Sequence, residues 1–166
     1  ERLAMLKERY GSGQARWNSK LRIVATSIED IERQVFDENS NVDILVALQA
    51  SGALQGVWPS VEINGKHFFD GGSFSMENPD VVVDADKMLV LSTGLPVDVP
   101  YKLEDLLAQL EKKGTETSLV LPSEKTMNIL KDFNYNMVEA KIRPFVAQAG
   151  REQGQAEAAL IKERWL

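Results

Sequence analysis

Apolar positions recur along the chain in two rhythms, one helical and one extended. Leu3, Leu6 and Tyr10 fall at helical spacing and stop at Gly11-Ser12-Gly13, which predicts a helix end followed by a flexible connector. Leu21-Arg22-Ile23-Val24-Ala25-Thr26 is a β-branched run of the kind expected for a strand buried on both faces of a parallel sheet. Ile31 to Phe36 predicts a second, weaker strand. Asn39-Ser40-Asn41 then offers helix caps before a short apolar helix, Val42 to Ala50, packed under the sheet. Val61-Glu62-Ile63 and His67-Phe68-Phe69 alternate with a period of two around Asn64-Gly65, whose residues both tolerate positive φ, so a hairpin is expected there.

The second half continues the alternation of strand and helix. Lys87 to Ser92 reads as an apolar strand ended by Thr93-Gly94, and Leu95 to Pro100, with two prolines, as a loop. Tyr101 to Lys113 carries Leu103, Leu106, Leu107 and Leu110 on one helical face, with Gly114 as its stop. Ser118 to Leu121 predicts another strand, closed by Pro122. From Ser123 onward the pattern is helical, with breaks expected near Asn134, at Pro144 and between Gly150 and Gly154. Together these elements predict an α/β domain with a mainly parallel sheet. Its expected sections are 1–20 (helix end and linker), 21–122 (sheet and the Asp70 region) and 123–166 (C-terminal helices).

The 166 residues suffice for one domain with a core of its own. A formal charge of −6 argues against sequence-independent nucleic-acid binding and against simple electrostatic docking on an anionic membrane. Without cysteine there is no disulfide framework and no thiolate metal site. No apolar run approaches the roughly 18 residues of a membrane span. Residues 1–10 are too charged for a signal-peptide core. The chain begins with Glu rather than Met, from which further sequence upstream is expected.

Candidate chemistry centres on Asp70. The hairpin delivers it to a chain reversal, and Gly71 and Gly72 behind it carry no Cβ, so another backbone or a substrate can approach the carboxylate. The plain alternative is a turn, which Asp-Gly makes for conformational reasons alone. His67 is the only histidine and, three residues before Asp70, falls on the opposite strand face, so it reads as a bystander and cannot found a multi-histidine metal site. Asp80, Asp84 and Asp86 lack the spacing of a calcium loop and read as turn and cap residues. Ser51, Ser73, Ser75 and Ser92 are the nucleophile candidates, yet none lies in G-x-S-x-G, and no run of three glycines is present to serve as an oxyanion loop. Leu160, Ile161, Trp165 and Leu166 mark a C-terminal helix face for packing, or for contact with lipid or a partner.

One order of residues is more specific than any of these alone. Ala50-Ser51-x-Ala53-Leu54-x-Gly56-x-x-Pro59 leads into Asn64-Gly65-Lys66-His67-Phe68-Phe69-Asp70-Gly71-Gly72, with Asn78 eight residues past Asp70. This order resembles the patatin-like phospholipases, lipid acyl hydrolases, around the aspartate of their serine-aspartate dyad. The resemblance extends to Leu21–Ser27 with Gln34-Val35-Phe36, to Ala85–Leu91, to Leu119–Pro122 and to Ala149-Gly150-Arg151-x-x-Gly154.

The resemblance implies a three-layer α/β/α fold and hydrolysis of lipid carboxylic esters, with neither cofactor nor metal. Asp70 would polarise a serine hydroxyl directly, without histidine. Gly71 and Gly72 would keep the carboxylate approachable, and Asn78 would shape its loop. Gln55 stands where many members have proline. The family's G-x-S-x-G elbow and glycine-rich loop lie upstream of the part matched, so the chain resembles a C-terminal half. A complementary N-terminal half, on another chain or in missing sequence, or self-association is therefore expected. The compartment expected is cytoplasmic, or peripheral to a membrane. Two other functions follow from the residues: a non-catalytic interaction or regulatory module that keeps the fold, and a hydrolase using paired carboxylates such as Asp70 with Asp80.

Overall fold

The computed structural model describes residues 1–11, 13–136 and 138–165. The chain is mixed α/β and divides into two compact units, one of Glu1–Asp84 with Val97–Leu110, the other of Ala85–Pro96 with Glu111–Leu166.

In the first unit, helix α1 (Arg2–Tyr10) ends where Gly11 takes φ 74°, as the glycine-rich connector predicts. Strands β1 (Ile23–Ser27), β2 (Arg33–Phe36), β3 (Val61–Ile63) and β4 (Lys66–Asp70) form one sheet in the order β2-β1-β4-β3. Asn64 and Gly65 turn the β3–β4 hairpin with φ of 52° and 78°, the left-handed pair that matches strand twist.

The sheet expected to be mainly parallel is antiparallel in all three of its pairings. Residues 28–32 are all that joins β1 to β2, and a parallel crossover needs a dozen or more. The unbroken apolar run of β1 has another cause: β1 is an inner strand, covered on both sides. Helix α2 (Ile44–Ser51) lays Ile44, Leu45, Ala47 and Ala50 against Ile23, Ala25, Phe36, Val61, Ile63 and Phe68. Each large apolar side chain so buried contributes about 1.5–3 kcal/mol, and Phe36 meets Phe68 edge to face at 5.5 Å.

The cap of α2 is Asp43, whose carboxylate accepts from the amides of Leu45 (2.8 Å) and Val46 (3.3 Å). The Asn39-Ser40-Asn41 caps expected from sequence stand too far upstream to reach the first turn; Ser40 instead bonds the Asp37 amide at 2.8 Å. Helix α3 (Leu103–Lys112) buries Leu106 and Leu110 and ends before Gly114, at φ 97°.

In the second unit, β5 (Lys87–Leu91) and β6 (Glu116–Val120) are parallel over five residue pairs. The connection between them, residues 92–115, has the length that parallel pairing requires and includes α3. Ser123 caps α4 (Glu124–Asp132), which ends ahead of Asn134 and Tyr135, both at positive φ. Helix α5 (Arg143–Trp165) runs through the other two expected breaks. Pro144 lies in its first turn, where the missing N–H would have had no partner, and Gly150 and Gly154 are carried inside the helix. Gln153 ties α5 to the end of β6, donating to the Leu121 carbonyl at 2.7 Å and accepting from the Ser123 amide at 2.8 Å. Leu160 is 64% exposed and Trp165 45%, whereas Ile161 lines a shallow apolar groove with Leu89 and Ala158; Leu166 lies outside the described residues. No helix among the described residues is long and apolar enough to cross a membrane.

Candidate functional site

Asp70 is the last residue of β4, opposite Ala25 of β1, and its carboxylate caps the tight 3-10 turn Gly71–Ser73. Both ends of the residue are fixed. Its amide donates to the Ala53 carbonyl at 3.2 Å, and its carbonyl accepts from the Thr26 hydroxyl at 3.1 Å. The carboxylate accepts from the Gly72 amide at 2.8 Å. Half-burial pushes the Asp70 carboxyl above its ordinary value, against the pull of the Gly72 amide and of the Arg2 charge.

The two glycines do different things. A Cβ on Gly71 would stand 2.6 Å from the Val24 carbonyl oxygen, so the turn can lie on β1 only without one. A Cβ on Gly72 would meet the Asp70 carboxylate at 3.1 Å. Beside them opens a cavity of about 390 Å³, lined by Asp70, Gly71 and Gly72 together with Leu21, Arg22, Leu48, Ser51, Met76 and Asn78 among others.

Asn78 holds the loop after the turn. It sits in the left-handed region (φ 50°), and its side-chain amide donates to the carbonyls of Gly71 (3.1 Å) and Ser75. Its oxygen accepts from Arg33 at 3.2 Å, and Arg33 grips Asp80 through two bonds of 2.6 and 2.7 Å. The Arg33 guanidinium also lies 4.9 Å over the Phe74 ring, which stacks on Tyr101 at 4.3 Å.

Asp80 is therefore paired with Arg33 rather than with Asp70, and the two carboxylates do not form a bare acid pair. His67 projects from the opposite face of β4, where its Nδ1 lies 3.0 Å from Glu29 and its amide also donates to Glu29; these bonds bring the exposed Glu29 carboxyl down to about 2. Among the described residues no three His, Cys, Asp or Glu side chains are grouped to hold a metal ion.

Of the serines, Ser51 ends α2 and lines the Asp70 cavity, and Ser73 lies in the 3-10 turn. Ser75 is fully buried, with a hydroxyl that has no hydrogen-bond partner. Ser92 follows β5 in the second unit, where its hydroxyl accepts from the Gly94 amide at 3.0 Å. Two residues around the Asp70 loop carry no signal in the sequence. Arg2 donates to the Gln49 carbonyl at 3.0 Å and covers Trp58, with its charge acting on Asp70; Arg33 reaches the Asp70 loop from β2.

No family model matches the chain, and no curated protein matches it. What the site can do is set by its own geometry: a half-buried carboxylate with a raised proton affinity, held by one amide, at the wall of a partly apolar cavity.

Proposed function

We propose that Asp70 is the acid of a serine-aspartate dyad and that the protein hydrolyses lipid or other carboxylic esters. The observation that carries this reading is the presentation of Asp70: its main chain is bonded at both ends and its carboxylate faces a cavity walled partly by Leu21, Leu48 and Met76. A carboxyl raised above its usual value is a better proton acceptor near neutral pH. The nucleophilic serine comes from outside residues 1–166. Its hydroxyl proton passes to Asp70 as oxygen attacks the ester carbonyl, and returns to the departing alkoxide as the acyl-enzyme forms. Water, deprotonated by the same carboxylate, then releases the acid. Neither metal nor cofactor enters these steps.

In this reading the chain is the C-terminal portion of a three-layer α/β/α domain whose other half, in the same protein or another chain or by self-association, supplies the serine and the oxyanion donors. The turn after Ala53 exposes Leu54, Val57 and Trp58 beside the Asp70 attachment point, an apolar surface that such a half would cover. Contact with a lipid surface is peripheral.

The test is hydrolysis of a chromogenic fatty-acyl ester by the full-length protein, with Asp70→Asn beside it. Loss of the proton acceptor lowers kcat by about 100-fold or more; an unchanged rate removes Asp70 from the dyad. A second reading, a non-catalytic interaction module, is favoured by the conformational role the Asp70 carboxylate already has as cap of the Gly71–Ser73 turn. An intact full-length protein that hydrolyses no ester decides for it.

A further inference from the structure

We infer that Arg33 is a positioning residue for Asp70, acting through Asn78 and the single peptide group between Gly71 and Gly72. The inference rests on the reading of Asp70 as the reacting carboxylate. The carbonyl of that peptide is Gly71 O, which accepts from Asn78 Nδ2 at 3.1 Å; its N–H is that of Gly72, which donates to Asp70 Oδ1 at 2.8 Å. One rigid plane thus links the two bonds. A peptide between two glycines is the easiest in a chain to rotate, because neither neighbour has a Cβ to resist it. Whatever fixes its carbonyl also aims its N–H at the carboxylate.

Asn78 shares the fixing with the Phe74 and Ser75 amides, which donate to the same oxygen at 3.1 and 3.5 Å, and Arg33 sets which way Asn78 points. A guanidinium has donors only, so the atom of the Asn78 amide that faces Arg33 must be oxygen. The NH2 end is then turned toward Gly71 O and Ser75 O. Rotating the amide by half a turn would set donors against donors. Arg33 cannot follow such a rotation, because two bonds to Asp80 and the Phe74 ring hold its fork in place. Arg2, not Arg33, is the charge felt by the Asp70 carboxyl. The route from Arg33 to the carboxylate runs through Asn78 and the Gly71–Gly72 peptide.

The experiment is amide hydrogen exchange by NMR on the purified protein with Arg33→Met, reading the Gly72 amide against the Phe68 and Ala25 amides of the sheet. The expected result is exchange at Gly72 at least tenfold faster with the sheet amides little changed, and, in ester hydrolysis by the full-length protein, a fall in kcat with KM held. Unaltered protection at Gly72 overturns the inference, as does equal acceleration at all three amides, which would make Arg33 a general stabiliser. Should Arg33→Met fail to fold, Arg33→Lys keeps a charge for Asp80 without the fork that spans Asp80 and Asn78. Protection retained at Gly72 in that variant is equally fatal, and protection lost there supports the relay. Loss of Gly72 protection in a full-length protein whose parent form hydrolyses no ester keeps the relay and removes the hydrolase reading.

Discussion

Gly71→Ala separates the mechanical role of the Asp70 turn from its chemical one. The new methyl would stand 2.6 Å from the Val24 oxygen, 2.9 Å from its carbonyl carbon and 3.0 Å from its Cγ1. Val24 belongs to β1, which is bonded to β2 on one side and β4 on the other, so the obstacle is backbone that cannot retreat without breaking a sheet. Neither Gly71 nor Gly72 has a positive φ, so the cost is steric. Overpacking costs typically 1–3 kcal/mol, and a rigid wall places this case at about 3 kcal/mol. Gly72→Ala is the control. Its methyl meets only the ends of the Asp70 and Met76 side chains, at 3.1 and 3.6 Å, and the entropy removed from the unfolded chain, about 0.4–1 kcal/mol, offsets the adjustment. Urea unfolding followed by tryptophan emission, in a Trp165→Phe background so that Trp17 and Trp58 report the first unit, measures both. With a slope of about 1.5 kcal/mol per molar urea, Gly71→Ala moves the midpoint down by about 2 M and Gly72→Ala by less than about 0.5 M. Equal shifts for the two variants refute the reasoning.

Three further outcomes follow from other contacts. Ile31 is a β-branched, 63% exposed residue at φ 55°, so Ile31→Gly releases strain of about 1–3 kcal/mol against a glycine cost of about 0.5–1 kcal/mol and raises the thermal midpoint; a lower midpoint contradicts this. Asp43→Ala removes the α2 cap and lowers stability by about 1 kcal/mol in the same urea assay, and no loss would show that the cap contributes nothing. For Asp70→Asn the sign comes from linkage. The folded carboxyl sits above its unfolded value, so its contribution is intact in acid and is lost as pH rises through the folded pKa. Asp70→Asn is then more stable than the parent at pH 7, and the difference closes toward about pH 3. A variant less stable at pH 7 contradicts the burial argument.

The elements were more legible than their pairing. Helix and strand periods, the Asn64-Gly65 turn and the stops at Gly11 and Gly114 are properties of neighbours in sequence, and each is found close to where the pattern puts it. Strand direction is not such a property. An inner antiparallel strand covered on both faces has the same apolar composition as a parallel one, and only the short connection over residues 28–32 distinguishes them. Likewise, a proline and two glycines in residues 144–154 look like breaks until the start of α5 at Arg143 is known.

The candidate site was legible where it is local, in Asp70-Gly71-Gly72, and illegible where it is assembled over distance. Arg33 meets Asn78 and Asp80 from 45 and 47 residues away, and nothing around Arg33 distinguishes it from an exposed strand arginine. What the structure adds to the local motif is a reason to prefer a charge over a turn. An asparagine at position 70 could accept the same Gly72 amide, cap the same 3-10 turn and pass the same main-chain bonds to Ala53 and Thr26. It would do so without the desolvation that raises the Asp70 carboxyl. A residue needed only for the turn has no use for an ionisable group held half out of water at a cost in stability. A residue that must take up and return a proton does, and the role proposed for Asp70 is of that kind.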